Sequence, residues 1–216
     1  MSDIFQEVED DLRAERARRL AQKWAGVAIA AGLVVIAAAG AWQGWRWYEA
    51  REARAAAATY LTLHRSADQQ GVDLAPIADG FAALARQAPA GYRPLARLRA
   101  AALKAELGDL PAAIALWTEV AADTRTDPLY RDLATLLAVS HAIDTGDPAQ
   151  LAARLGPLLA EGNPWRASAR EAAGLLALRR GETEEARRLF EALAADPASP
   201  DGLRERAQRV AAGLRS

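Results

Sequence analysis

LGDLPAAIALWTEVAAD (107–123) lies over RGETEEARRLFEALAAD (180–196) at an offset of 73 residues. Gly108 meets Gly181, Asp109 meets Glu182, Ala113 meets Ala186, Trp117 meets Phe190 and Asp123 meets Asp196. Half of that offset is close to the period of a helix hairpin, so an intermediate unit is expected. It is present as TGDPAQLAARLGPLL (145–159), with Leu151, Leu155 and Leu158 in the apolar positions. A weaker fourth unit, GVDLAPIADGFAALARQAP (71–89), starts at Gly71. The turn glycines 71, 108, 146 and 181 are thus 37, 38 and 35 residues apart.

Each position in the repeat has a physical reading. Glycine supplies a positive φ after the first helix of a hairpin. The acid beside it favours the positive end of the second helix. The alanine five residues after glycine permits close helix approach, and the aromatic four residues later fills the space between hairpins. A single hairpin cannot bury its apolar face, so units stack and the last requires a cap. PDGLRERAQRVAAGLRS (200–216) reads as that cap. Ala, Leu, Arg and Glu dominate beyond residue 48, all strong helix formers. Expected helices cover 3–22, 23–48 running on towards 69, 74–88, 92–107, 110–123, 128–144, 148–160, 164–180, 183–195 and 200–214. Asp127-Pro128, Asp147-Pro148, Asn163-Pro164 and Ser199-Pro200 each pair an N-cap residue with a proline suited to the first turn.

The N-terminal quarter is of another kind. WAGVAIAAGLVVIAAAGAWQGW (24–45) contains no charged residue. Its length suffices for a hydrocarbon core of roughly 30 Å. Trp24 stands at one end and Trp42, Trp45, Trp47 and Tyr48 at the other, where indole and phenol rings suit the headgroup level. A secretory signal has a shorter apolar run and a shorter, basic head. Here 23 residues precede the run, and Asp3, Glu7, Glu9, Asp10 and Asp11 come before the basic cluster. The expected division is a charged head over 1–23, a membrane anchor over 24–48 and a helical domain over 49–216. Arg13, Arg16, Arg18, Arg19 and Lys23 flank the run on one side, and Arg46, Arg51 and Arg54 on the other. Five against three places the N-terminus in the cytoplasm and the helical domain outside it. In a bacterium that compartment is the periplasm.

The period and composition resemble the tetratricopeptide repeat. LLALRRGETEEARRLFEALAADP (175–197) carries the resemblance most fully, with Gly174 and Ala177 as the small residues of its first helix. The acidic-then-basic head MSDIFQEVEDDLRAERARRLAQKW and the exit WQGWRWYEAREARAAAATY (42–60) extend it. The whole layout resembles bacterial inner-membrane tetratricopeptide proteins known as the ancillary SecYEG translocon subunit. That resemblance implies an all-α fold: one transmembrane helix, then a helical-hairpin solenoid with a C-terminal capping helix. It also implies contact with the Sec translocon, cooperation with periplasmic chaperones or client polypeptides, and no catalytic residue. An assembly factor for one envelope complex, such as cytochrome maturation or outer-membrane biogenesis, is the alternative of the same layout.

Composition argues against most chemistry. The chain has no Cys and only two His, His64 and His141, too few for a metal site. Lys and Arg number 27 against 28 Asp and Glu, a balance that points to no nucleic acid. Ser140, His141 and Asp144 share one helix, but adjacent helical residues point about 100° apart. No cofactor, metal or small-molecule substrate is expected. What remains is protein binding. In such repeats the first helix of each hairpin lines the concave face. By register that face holds Leu95, Leu98 and Ala102, then Leu133, Leu136 and Ser140, then Leu175, Leu178 and Arg179. It is apolar, which suits an amphipathic or unfolded segment; burial as ordinary core is the competing reading. The anchor's aromatic residues exceed what one interfacial belt needs, so the anchor itself is a second expected contact. Helix 46–69 has no breaker and would carry the repeats as a rod, its Ala55–Ala58 run smooth enough for another helix.

Overall fold

The computed structural model describes residues 3–215. Among these the chain is helical with no strand: α1 (Asp3–Ala67), α2 (Leu74–Gln87), α3 (Arg93–Glu106), α4 (Leu110–Ala122) and α5 (Pro128–Ala142). Then follow α6 (Pro148–Leu155), a 3-10 turn (Gly156–Leu159), α7 (Arg166–Arg179), α8 (Thr183–Ala195) and α9 (Asp201–Gly213). Two compact units divide the chain, 1–51 and 52–216.

The first unit contains the apolar run. Within it Trp24, Trp42, Trp45, Trp47 and Tyr48 are all exposed. The most apolar window of 18 residues has mean hydropathy 2.1 and none of it is buried. This helix is long and apolar enough to cross a membrane. The expectation of separate helices over 3–22 and 23–48 is replaced by one helix, because no proline or capping residue interrupts the stretch.

The second unit is a stack of hairpins. The end of α1 packs on α2, then α3 pairs with α4, α5 with α6 and α7 with α8, and α9 covers α8. Each second helix sits at the centre of its own core cluster. Phe81 of α2 lies with Ile77, Ala96 and Leu103, with Tyr60 and Leu63 of α1 against them. Trp117 of α4 lies with Ala101, Val120 and Ala134. Leu155 and Leu158 lie with Leu136, Val139 and Leu176. Phe190 of α8 lies with Ala177, Leu193, Ala207 and Ala211. The repeat register is therefore the packing register, and α9 closes the last cluster.

Small residues face large ones across each hairpin. A Cβ placed on Gly174 would stand 2.8 Å from Phe190 Cε2, so the ring lies directly on the backbone of α7. Seven residues before the turn-glycine position the second, third and fourth hairpins have Ala101, Val139 and Gly174; nine after it they have Trp117, Leu155 and Phe190. In the second and fourth hairpins Ala or Gly stands opposite a ring, and in the third two aliphatic side chains share the space, as dense packing requires.

Turn chemistry is repeated in two hairpins. Gly108 (φ 82°) and Gly181 (φ 74°) are left-handed. In both, the next residue's N–H reaches back five residues: Asp109 to Lys104 O at 2.9 Å and Glu182 to Ala177 O at 2.9 Å. This bond satisfies carbonyls that the helix end leaves open. Asp109 then accepts from Ala112 N and so also opens α4. Gly71 is left-handed as expected, but Gly146 is not. Its amide bonds Ala142 O at 2.8 Å, and an added Cβ would press on Leu151 and on Ala142 O. At this turn glycine is required for close approach rather than for φ.

Two of the four cap–proline pairs open helices as expected. Asp127 accepts from Leu129 N and Asp147 from Gln150 N, both at 2.8 Å. The other two are displaced. Asn163 accepts from Trp165 N, making a turn one step ahead of α7. Ser199 is buried, and α9 starts only after Pro200. The expected helix 148–160 also stops early, since Pro157 cannot donate an amide and the backbone tightens to a 3-10 turn.

Candidate interaction surface

The residues expected to line a concave face lie on the first helices of three hairpins, α3, α5 and α7. They differ in burial. Leu136 is 6% exposed and belongs to the core around Leu155. Leu98 and Ala102 are half-buried against the Trp117 cluster, and Leu178 is half-buried against the Phe190 cluster. Leu95 and Leu133 are half-buried. Ser140, Leu175 and Arg179 are exposed, Leu175 at 42%.

Arg179 has a structural task on that face. Its Nη1 donates to Ile143 O and, at 2.7 Å, to Gly146 O. The guanidinium thus binds carbonyls of the turn between α5 and α6 and ties the fourth hairpin to the third. His141 lies against the Trp117 ring, with centroids 4.8 Å apart and planes at 19°. It is a stacking partner there and forms no constellation with Ser140 and Asp144. His64 stands 6.3 Å from the Tyr60 ring. Among the described residues no group of three or more His, Cys, Asp or Glu is arranged to hold a metal.

Electrostatics hold the loops between hairpins. Asp123 accepts from Arg125 through Nε (2.9 Å), Nη2 (3.1 Å) and the backbone N–H (3.1 Å). These bonds, with Arg97 nearby, hold its carboxyl well below the ordinary range, to about 2. Burial pushes the Tyr60 hydroxyl up, with Arg99 opposing and Tyr130 adding to it. Arg170 pairs with Asp196 at 3.2 Å in the equivalent loop of the last hairpin.

These hairpins, their turns and their repeated core fit one family. A family model for the tetratricopeptide repeat-like domain matches residues 18–207. The chain belongs to that family. No curated protein matches the chain, and no solved structure does. Tetratricopeptide repeat-like domains are typically non-enzymatic scaffolds for protein interaction, and this chain has the hairpin stack on which such scaffolds are built.

Two features of the tetratricopeptide repeat-like array were not among the expected site residues. Leu61, 49% exposed, occupies in the first hairpin the register of Leu98 and Leu136. Counting ten residues back from Gly71 would have found it. The second is a crevice of about 450 Å3 beside the shortened α6. Leu155, Leu159, Ala173, Leu176 and Leu189 form its apolar wall, with Arg180 and Glu185 at the rim. Its origin is legible afterwards: α4 and α8 have 13 residues each where α6 has 8.

Proposed function

We propose that this protein is a non-enzymatic scaffold anchored in the bacterial inner membrane by 24–48. Its N-terminus is cytoplasmic, its repeats are periplasmic, and it associates with the Sec translocon. The observation that carries this reading is the conjunction of an unburied apolar helix bearing exposed tryptophans at both ends with a hairpin array, both inside the family match. Soluble scaffolds have no use for a run of 22 uncharged residues that nothing covers. The array's exposed positions, Leu61, Ser140 and Leu175 with the half-buried Leu98, Ala102 and Leu178 beside them, receive apolar segments of emerging clients or of periplasmic chaperones.

A photo-crosslinking residue in place of Trp47, in the full chain in living cells, tests the reading. Adducts with translocon subunits are expected. Adducts confined to another envelope complex would replace the Sec assignment, and an anchor found in the soluble fraction would overturn the membrane one.

A further inference from the structure

Three arginines share one register. Arg93, Arg131 and Arg166 each stand fifteen residues before a turn-position glycine, Gly108, Gly146 and Gly181. Each follows an aromatic residue, in the order Tyr92, Tyr130 and Trp165. All three arginines lie in the first turn of the first helix of a hairpin, α3, α5 or α7. The starts of these helices run along one edge of the array. Trp165 Nε1 donates to Leu129 O at 3.0 Å, and Asn163 Nδ2 to Asp132 at 2.8 Å, which joins the start of α7 to that of α5. The start of α3 shares a small hollow with the loop before α5, lined by Arg93, Asp123, Arg125 and Thr126.

Helix electrostatics do not favour this placement. Cations are unfavourable at the positive end of a helix dipole. The first turns of α3, α5 and α7 contain no acid, whereas α8 has Glu184 and Glu185 there. Among the described residues none of the three arginines forms an ion pair, although Arg97, Arg170, Arg187, Arg206 and Arg215 all do. The Nε of each is buried without a hydrogen-bond partner. Only Arg93 has a further bond, from Nη2 to Ala88 O. Of the acids on this edge, Asp123 and Asp196 are paired with Arg125 and Arg170, while Asp127 and Asp132 accept from Leu129 N and Asn163. Three half-buried guanidinium groups at helix N-termini, repeated in register and without an ion pair, favour negative charge from outside the chain.

We propose that this edge docks an extended acidic polypeptide segment, one carboxylate to each arginine. An extended chain advances about 3.3 Å per residue, so a carboxylate at every third residue presents charges about 10 Å apart along the row. The three arginines are not among the first-helix leucines, so the two surfaces are tested by different variants.

The test uses the full chain in neutral detergent and a fluorescein-labelled peptide with Glu at every third position and Ser and Gly between. Fluorescence anisotropy is expected to show binding that weakens as salt rises. The triple variant R93Q/R131Q/R166Q should lose at least about tenfold in affinity, as expected for charge-assisted bonds. R154Q/R209Q, on exposed arginines elsewhere, should bind as the parent does. Triple replacement by Lys keeps the charge and should retain part of the affinity, which covers the case in which the Gln variant fails to fold. Equal binding of the same peptide with Gln for Glu, equal binding by the Gln triple variant, or salt-independent binding overturns the proposal. So does capture of anionic vesicles without capture of the peptide.

Discussion

Trp117 and Phe190 are 1% exposed each, and each fills the centre of a core cluster. Trp117→Ala and Phe190→Ala should therefore each lose roughly 3–5 kcal/mol of stability. Chemical denaturation is the measurement, and an unchanged midpoint for both would mean the repeat register is wrong. Both rings were legible in the sequence because glycine, alanine and aromatic recur at fixed spacing. Arg179 was legible as a position and not as a role. Its bonds to Ile143 and Gly146 carbonyls depend on a helix end 33 residues or more away, which no local pattern encodes. Asp123 gives a residue-scale prediction in pH. Its pKa is depressed in the folded chain, to about 2. Its stabilising contribution is then complete above the unfolded value of about 3.9 and is lost as pH falls through the folded one. Asp123→Asn should remove that part of the acid dependence between roughly pH 4 and 2 and leave stability above pH 5 insensitive to pH from this site. Denaturation midpoints of parent and variant across that range decide it; parallel curves would show that the Arg125 bonds do not persist in solution.

At the scale of elements, the sequence pattern finds helices wherever composition and capping agree and fails where they conflict. The breaks at Gly71, Gly108 and Gly181 are found because a left-handed glycine leaves a single-residue signature. Gly146 has the same letter and another cause, contact with Leu151, and only packing distinguishes the two. The truncation of α6 is written in Gly156-Pro157, but the loss of a whole helical turn depends on the neighbouring α5 and α7 leaving room for a 3-10 turn. The pairs Ala101–Trp117, Val139–Leu155 and Gly174–Phe190 give this scale its own experiment. Leu155→Phe should overpack against Val139 and cost about 1–3 kcal/mol. Val139→Ala should cost a similar amount through the space it opens. Combined, the two changes give an Ala–Phe pair, a small residue opposite a ring as in the second and fourth hairpins, and a double-mutant cycle should report favourable coupling of about 1 kcal/mol or more. Simple additivity would show that the two side chains are not each other's packing partners.

For the whole molecule, the apolar run, its exposed aromatics and the hairpin array were readable because each rests on composition over tens of residues. The choice of partner rests on a few side chains whose exposure only folding decides, as the contrast between Leu136 and Leu175 illustrates. Orientation is tested by reporter fusions after Ser216. Alkaline phosphatase should be active and a cytoplasmic reporter silent, and the reverse pair would place the repeats in the cytoplasm. The anchor's part in recognition is tested by exchanging 24–48 for an unrelated apolar helix with its own aromatic belt. Co-purification with the translocon should fall, and recovery at the native level would assign recognition to the repeats alone. The short α6 has a further consequence for the array. A linear stack is only as cooperative as its thinnest interface. With 8 helical residues, no aromatic ring at its centre and an open crevice beside it, the third hairpin is that interface. The repeats on either side are then expected to open as two blocks, which hydrogen exchange would read as separate protection levels for 52–142 and 166–213.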